Sequence, residues 1–243
     1  MLKNIKLENL VVIDIETVPM EPSVSLLSPE LRKLYMEKSK RLVSEEETEE
    51  EKFFNHAGIF AEFGKIICIG VGYFQKEKVS KALKFRVKAF SGHDEDKLLL
   101  EFFALLRKHF GREGRFLFAG HNIREFDVPY ICRRALLLGL ELPAMLDIAG
   151  KKSYEIIYAD TMQLWRFGDY KHYTSLKLLT TIFHIDSPKD DIDGKDVGRI
   201  YWKENDLERI ATYCRKDVIA VAQLLRRFKQ EPLLLPSEIV HVK

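Results

Sequence analysis

The stretch Leu10–Glu16 reads LVVIDIE, a short apolar run with two acids at its end. Its β-branched, almost continuous apolar composition predicts a central strand that is covered on both faces. Alternate residues of a strand share a face, so Asp14 and Glu16 point the same way, about 6–7 Å apart. Their neighbours Ile13 and Ile15 point the other way, into the core. Since a buried unpaired charge is costly, the two acids indicate either a chemical site or a salt-bridged pair at the strand end.

A third acid occurs in the segment Gly120–Asp127, GHNIREFD, which follows another predicted strand. The segment leads into a predicted helix over about 126–138, so Asp127 lies in a first helical turn, where unpaired N–H groups favour a carboxylate. One interpretation is structural: Asp127 starts the helix, Phe126 packs beneath it and Asn122 is a turn residue. The other makes Asp127 part of a site and Asn122 a ligand or substrate contact.

The predicted final helix, over about 206–229, carries Tyr213 and Asp217 one turn apart. At 100° per residue, Asp217 lies roughly 60° and Tyr213 roughly 100° from the centre of the apolar stripe of this helix. Both therefore lie on the same side of the stripe, an orientation that suits a cleft. A tyrosine–aspartate pair on the surface is the structural alternative.

The three pieces follow one another as D-x-E on the first strand, N-x-x-x-F-D at a helix start and Y-x-x-x-D on the final helix. In this order they resemble the motifs of the DEDD exonuclease superfamily, the DnaQ-like nucleases, in its tyrosine-bearing branch. The histidine-bearing branch would need a histidine where this chain has Thr212. Over most of its length the chain is similar to stand-alone bacterial proteins related to the exonuclease domain of family-B DNA polymerases, and residues 175–228 carry that likeness best.

The resemblance implies a 3′→5′ exonuclease that removes nucleoside 5′-monophosphates from DNA, above all from single-stranded 3′ ends, with two divalent ions, Mg²⁺ or Mn²⁺. It implies that Asp14 bridges the ions, that Glu16 and Asp217 hold the ion that activates water, and that Asp127 supports the ion at the leaving group. Tyr213 would orient the attacking water. Hard cations of this kind prefer carboxylate oxygen, which all four acids offer.

For the substrate, the resemblance implies that the backbone at Thr17 and Val18 holds the 3′-terminal nucleotide, with Asn122 and Phe126 helping to place it. Two alternatives stay open. One is an RNA-trimming exonuclease of the same fold, because the metal site does not contact the sugar. The other is a non-catalytic nucleic-acid binding module, which would have no need of four convergent acids. A replication or repair partner is not indicated by the sequence.

The pattern along the chain predicts the remaining architecture. Strands are expected at 10–15, 65–74, 83–90, 115–119 and 156–159, and helices at about 94–106, 126–138, 175–183 and 206–229. The polar break QKEKVSK between the second and third strands favours an antiparallel pair. Three strands followed by alternating strands and helices predict a single-domain α/β fold with a mixed five-stranded sheet flanked by helices. The resemblance adds that this sheet is ribonuclease H-like.

Residues 29–60 have a helical and highly charged pattern, with lysine and arginine first and six glutamates between Glu45 and Glu51. We interpret them as a charged helical insertion, either a solvated helix or a lid over a substrate groove. The acidic stretch 190–194 does not fit a calcium loop, because Lys189 and Ile200 would occupy its first and twelfth positions. Asp160 could be a further acid near the site, but helix capping explains it adequately.

The bulk composition agrees with a folded enzyme. The 243 residues, 46% hydrophobic and 11% aromatic, suit one domain with a full core, and the net charge of +2 permits a local nucleic-acid patch. Cys68, Cys132 and Cys214 lack the spacing of a zinc site or disulfide framework, so buried thiols in a reducing cytoplasm are expected. Because no apolar run approaches the roughly 18 residues of a membrane span and MLKNIKLENL lacks an apolar signal region, we expect a cytoplasmic protein without membrane contact.

Overall fold

The computed structural model describes residues 4–40, 47–79, 82–111, 115–169, 171–185 and 192–242. One sheet contains the strands β1 Leu10–Pro19, β2 Gly64–Lys76, β3 Leu83–Ser91, β4 Leu117–Gly120, β5 Ala159–Asp160 and β6 Ile239–His241, in the order β5–β4–β1–β2–β3–β6. The pairs β1–β2 and β2–β3 are antiparallel, whereas β1–β4, β4–β5 and β3–β6 are parallel. The predicted mixed sheet and its antiparallel start are therefore confirmed.

Helices flank the sheet. They are α1 Pro29–Ser39, α2 Glu49–His56, α3 Glu95–Leu105, α4 Asp127–Leu137, α5 Thr161–Arg166, α6 Leu176–Ile182, the short α7 Val197–Arg199 and the long α8 Leu207–Phe228. The apolar sides of α3 and α4 pack on one face of the sheet, and that of α8 packs on the other. Within the described part of the chain, no helix is both long enough and apolar enough to cross a membrane.

Side chains along β1 point alternately to the two faces of the sheet. Ile13 and Ile15 are buried in the core formed with α3 and α4, as predicted. Val12 and Val18 face α8 instead. Because alternate residues share a face, Asp14 and Glu16 lie on the side of α8, at the level where that helix crosses the sheet.

Among the described residues the sheet has six strands, so the predicted number of five was wrong by one. The additional strand, β6, pairs with β3 through only three residues, too few for an alternating pattern to be visible. The fifth strand was expected at 156–159, but a 3₁₀ turn occupies Ser153–Glu155 and only Ala159 and Asp160 pair with β4. β1 extends past its predicted end to Pro19, which lies opposite Gly64 as the last strand residue.

The charged segment at 29–60 contains two helices with an apolar core of their own. Tyr35 and Phe53 pack edge to face at 5.2 Å between ring centroids, and both are fully buried. α2 begins with a capping box in which Thr48 and Glu51 satisfy each other's backbone N–H groups. The acids and bases at 41–46, and the aspartates at 190 and 191, lie outside the described residues.

Candidate active site

The acids of β1 lie at an open edge of the sheet. Asp14 is opposite Gly70 of β2, and Glu16 is opposite Cys68. On its other side, β1 pairs with the parallel strand β4 only from Leu10 to Val12. β1 therefore continues beyond β4, and the carboxyl ends of the parallel strands β1, β4 and β5 open at the same edge, where α/β proteins commonly bind ligands.

Asp127 reaches this edge from the first turn of α4. Its Oδ1 accepts a 3.0 Å hydrogen bond from the backbone N–H of Ile15, the residue between Asp14 and Glu16. Asp127 is only 4% exposed. Burial raises its pKa to about 7, and the negative charge of Asp160 acts in the same direction, while hydrogen bonds from backbone N–H groups oppose the shift. Asp127 thus begins the helix and also lies beside the acids of β1.

α8 brings the remaining predicted residues to the same place. Cys214 Sγ lies 3.5 Å from both the backbone oxygen and Oδ2 of Asp14. One potential ligand atom from each of Asp14, Glu16 and Cys214 lies within 4.8 Å of the others. The pKa of Tyr213 is raised by burial and then by the negative charges of Asp217, Glu16 and Asp14, so its hydroxyl stands among these carboxylates.

The close approach of α8 depends on Gly70. A Cβ at this position would lie 2.7 Å from Cγ2 of Val218 and 2.9 Å from Sγ of Cys214. Sequence reasoning identified neither Gly70 nor Cys214 as part of the site. The available signal was weak: Cys214 lies between the two motif residues of α8, and Gly70 is a glycine inside an apolar strand.

The neighbouring acids raise the pKa of both carboxylates on β1. Burial raises the pKa of Asp14 well above its usual value, and the charges of Asp217 and Asp127 raise it further. Glu16 behaves alike, through burial and then the charges of Asp14 and Asp217. A cluster of buried, mutually repelling oxygen donors suits a hard divalent cation, which would remove the repulsion. Burial also raises the pKa of the Cys214 thiol, which disfavours its anionic form.

Asp160 does more than cap a helix. It accepts hydrogen bonds from the N–H groups of Met162 and Gln163 at 3.0 and 3.3 Å, the capping that was predicted. It also accepts from the N–H groups of Asn122 and Arg124 at 3.0 and 3.2 Å. This second pair, which the sequence did not suggest, ties the loop after β4 to the end of β5.

Asn122 is held in an unusual conformation by that loop. Its φ of 66° lies in the left-handed region, which asparagine tolerates better than most residues. Its Oδ1 is buried, and none of the described residues donates a hydrogen bond to it. A buried acceptor without a donor is uncommon and indicates an external partner.

The other residues expected to contact substrate have less exposed side chains. The hydroxyl of Thr17 donates to the backbone oxygen of Gly58 at 2.7 Å, and Val18 is fully buried. Val18 therefore offers neither its side chain nor its backbone to a nucleotide, whereas Thr17 is partly exposed. Phe126 packs against Tyr130 with ring centroids 5.4 Å apart.

Sequence comparison identifies the protein family of this chain. Residues 53–229 match the sequence model of the RNase_H_2 family in the RNase_H superfamily, so the chain belongs to that family. The matched stretch contains Asp127, Tyr213 and Asp217, whereas Asp14 and Glu16 precede it. Members of this superfamily generally use divalent metals, and membership supports a nuclease that binds nucleic acid.

Structural comparison supports the same fold. The chain is similar to the family B DNA polymerase from the hyperthermophilic archaeon Pyrobaculum calidifontis, with a TM-score of 0.50 and 16% sequence identity. The match covers 89% of this chain and 24% of the polymerase chain, so the likeness is one of fold over a part of that enzyme. Comparison with curated proteins found no match. The ribonuclease H-like fold and the relation to family-B polymerases are thereby confirmed at the level of fold.

Proposed function

We propose that this protein is a 3′→5′ exonuclease of the tyrosine-bearing DEDD branch, which shortens single-stranded DNA with Mg²⁺ or Mn²⁺ and releases nucleoside 5′-monophosphates. The observation that carries the proposal is the convergence of Asp14, Glu16, Asp127 and Asp217 beside Tyr213. Four convergent acids, of which Glu16 and Asp127 are buried, would repel a phosphate backbone and destabilise the fold, so they serve a binding module poorly. They serve a metal-dependent nuclease well.

The chain's own residues have distinct parts in this reaction. Asp14, Glu16 and Asp217 offer carboxylate oxygens from β1 and α8, and Asp127 offers one from the start of α4. Two divalent cations held there would lower the pKa of the attacking water and stabilise the leaving oxygen. Because the pKa of Tyr213 is raised, its hydroxyl stays neutral near pH 7 and orients water through a hydrogen bond without acting as a base.

The terminal nucleotide would meet the loop after β4. Asn122 Oδ1 is a buried acceptor that needs a donor, and a sugar hydroxyl or a base amino group supplies one. Phe126 lies at the start of α4, beside Asp127, where it offers an apolar surface next to the acids. The backbone at Thr17, which is partly exposed, would complete the contact, while the fully buried Val18 supports it from below.

A primer-shortening assay tests the proposal. We would incubate 5′-labelled single-stranded DNA with the wild type, Asp14→Asn and the control Asp96→Ala, in Mg²⁺, Mn²⁺ or EDTA. Asp96 is an exposed acid on α3, on the face opposite α8, so its removal changes charge without touching the site. The expected result is a ladder shortening from the 3′ end for the wild type and the control, abolished by Asp14→Asn and by EDTA.

RNA of the same sequence, run alongside, separates the two nuclease alternatives. Faster shortening of RNA than of DNA would assign the protein to RNA trimming. If both polymers stay intact in both metals while the protein still binds them, the catalytic proposal is wrong and the binding-module alternative replaces it.

A further inference from the structure

An aromatic loop borders the carboxylate site and has no part in the chemistry described above. The aromatic loop is the segment 167–174 between α5 and α6, described except at position 170. Phe167 is 83% exposed and Tyr173 is 67% exposed. Single exposed apolar residues are ordinary on protein surfaces. Two large exposed rings in one short loop beside an anionic site indicate a surface that binds a ligand.

The backbone at Phe167 is strained. Phe167 ends α5 with φ 46° and ψ 33°, in the left-handed region, and Gly168 follows with φ 93°. A bulky side chain is disfavoured in this conformation, and glycine or asparagine would relieve the strain. Packing does not explain a phenylalanine here, because its ring lies in solvent. Strain retained without a packing benefit is typical of functional positions.

The aromatic loop is nevertheless well anchored. The N–H of Lys171 donates to Oδ1 of Asp169 at 3.0 Å, and the backbone oxygen of His172 lies 3.4 Å from Nε of Arg166. His121 Nε2 lies 2.8 Å from the backbone oxygen of Thr174, which links the loop to the residue preceding Asn122. These hydrogen bonds hold the backbone on either side of Tyr173, so little conformational entropy of this part of the loop would be lost on binding.

The aromatic loop is next to the acids and carries compensating positive charge. Arg166, directly before the loop, lies with Nη1 3.6 Å from Oε1 of Glu125, two residues before Asp127. Burial raises the pKa of Tyr173, Arg166 lowers it and the negative charge of Asp127 raises it, in agreement with this placement. Lys171 is exposed, and Arg124 lies in the neighbouring loop with Nη1 3.3 Å from Oε1 of Gln163. Exposed rings interleaved with cations are the features of a surface that binds single-stranded nucleic acid.

We propose that Phe167 and Tyr173 form a stacking platform for unpaired bases on the 5′ side of the nucleotide that is removed, with Lys171 and Arg124 near the phosphates. The inference rests on the proposed function for the identity of the adjacent site. Stacking on a ring tolerates every base, so the platform is indifferent to sequence. It does require that the bases are unpaired, because paired bases do not offer a free face. The platform would thereby make a single strand the preferred substrate.

Binding can be measured without turnover. We would use the full chain carrying Asp14→Asn, with Mg²⁺ and a 5′-fluorescein oligothymidylate, and follow fluorescence anisotropy. Adding Phe167→Ala or Tyr173→Ala should raise Kd by about 5- to 100-fold, the loss measured for one base–aromatic stack. Phe167→Trp should keep the wild-type Kd. The matched control is Tyr154→Ala, which removes a 73% exposed ring from the turn before β5, at the far end of that strand.

An abasic scan then assigns the contact to stacking. A single abasic nucleotide moved stepwise from the 3′ end should weaken binding at one or two fixed positions, and those positions should lose their effect in Phe167→Ala. Unchanged Kd for both alanine variants, or an equal loss in Tyr154→Ala, would overturn the platform.

The outcomes separate the platform from the proposed function. DNA shortening by the wild type together with unaffected binding in both Phe167→Ala and Tyr173→Ala refutes the platform and leaves the exonuclease intact. Stacking-dependent binding without any shortening by the wild type refutes the exonuclease and leaves the platform.

Discussion

Replacing Gly70 by alanine should damage the active site by moving a helix that carries two of its residues. The added Cβ would lie 2.7 Å from Cγ2 of Val218 and 2.9 Å from Sγ of Cys214, and ordinary contact begins near 3.4 Å. α8 or β2 must therefore give way by up to about 0.7 Å. Since Tyr213 and Asp217 belong to the same turns of α8, they move away from Asp14 with it.

The two expected effects of Gly70→Ala differ in size. Overpacking of a core contact destabilises by about 1–3 kcal/mol, which lowers the melting temperature of a chain of this size by roughly 2–12 °C. The protein stays folded at 25 °C. A displacement approaching 1 Å of groups that act on the reacting phosphate costs on the order of 100-fold in rate. We therefore expect a large loss of kcat in a protein that is still folded.

The assay is single-strand shortening at 25 °C, run beside thermal unfolding. Gly92→Ala is the matched control, because a Cβ there meets nothing closer than 3.9 Å. It should keep both the rate and the melting temperature of the wild type. If Gly70→Ala shortens DNA at the wild-type rate, the close approach of α8 to β2 does not position the site, and the reasoning fails.

Three further predictions concern charge and hydrogen bonding. In EDTA the free energy of unfolding of the wild type should fall as the pH rises from 4 to 8, because the folded-state pKa of Asp127, about 7, exceeds the unfolded one. In urea titrations, Asp127→Asn should remove up to roughly 4 kcal/mol of this loss at pH 8 and should change little at pH 4. Tyr213→Phe should lower kcat by roughly 100-fold without moving the pH profile of the rate, because a hydroxyl whose pKa is raised does not titrate near pH 7. A shifted pH profile would contradict the orienting role of Tyr213. Glu95→Gln should destabilise the protein by about 3–5 kcal/mol, because Arg134 then stays buried without the charge partner that lies 2.6 Å away in the wild type. The double variant with Arg134→Met should recover much of this loss. A thermal melt of Glu95→Gln like that of the wild type would contradict this prediction.

The predicted acids could be found from the sequence because each belongs to a local pattern. Asp14 and Glu16 interrupt an apolar strand, Asp127 follows a strand at a helix start, and Tyr213 and Asp217 lie one turn apart beside an apolar stripe. Their order along the chain links the three patterns. In the structure these five residues meet at one edge of the sheet, on elements close to those expected.

What escaped prediction depends on contacts between distant parts of the chain. Gly70 matters only because α8 crosses β2 at that residue, and no local pattern marks the crossing. β6 forms because a short segment near the end of the chain finds the open edge of β3. The second role of Asp160 required knowledge that β5 ends beside the loop of Asn122. Short-range periodicity contains none of this information.

The topology explains why a cluster of repelling acids forms at this edge. β4 accompanies β1 only as far as Val12, so the backbone of β1 beyond that point lacks a parallel neighbour. The N–H of Ile15 is then free to donate a hydrogen bond to Asp127. If β4 were longer, this N–H would donate to a carbonyl of β4 instead. Gly120 ends β4 because a Cβ there would lie 2.0 Å from Cγ2 of Ile123 and 2.8 Å from the backbone oxygen of Ile13. The turn that this glycine permits directs the chain back toward β1 and brings Asp127 to the N–H of Ile15, the residue between Asp14 and Glu16. The early end of one strand therefore creates both the opening in the sheet and the position of the acid that occupies it.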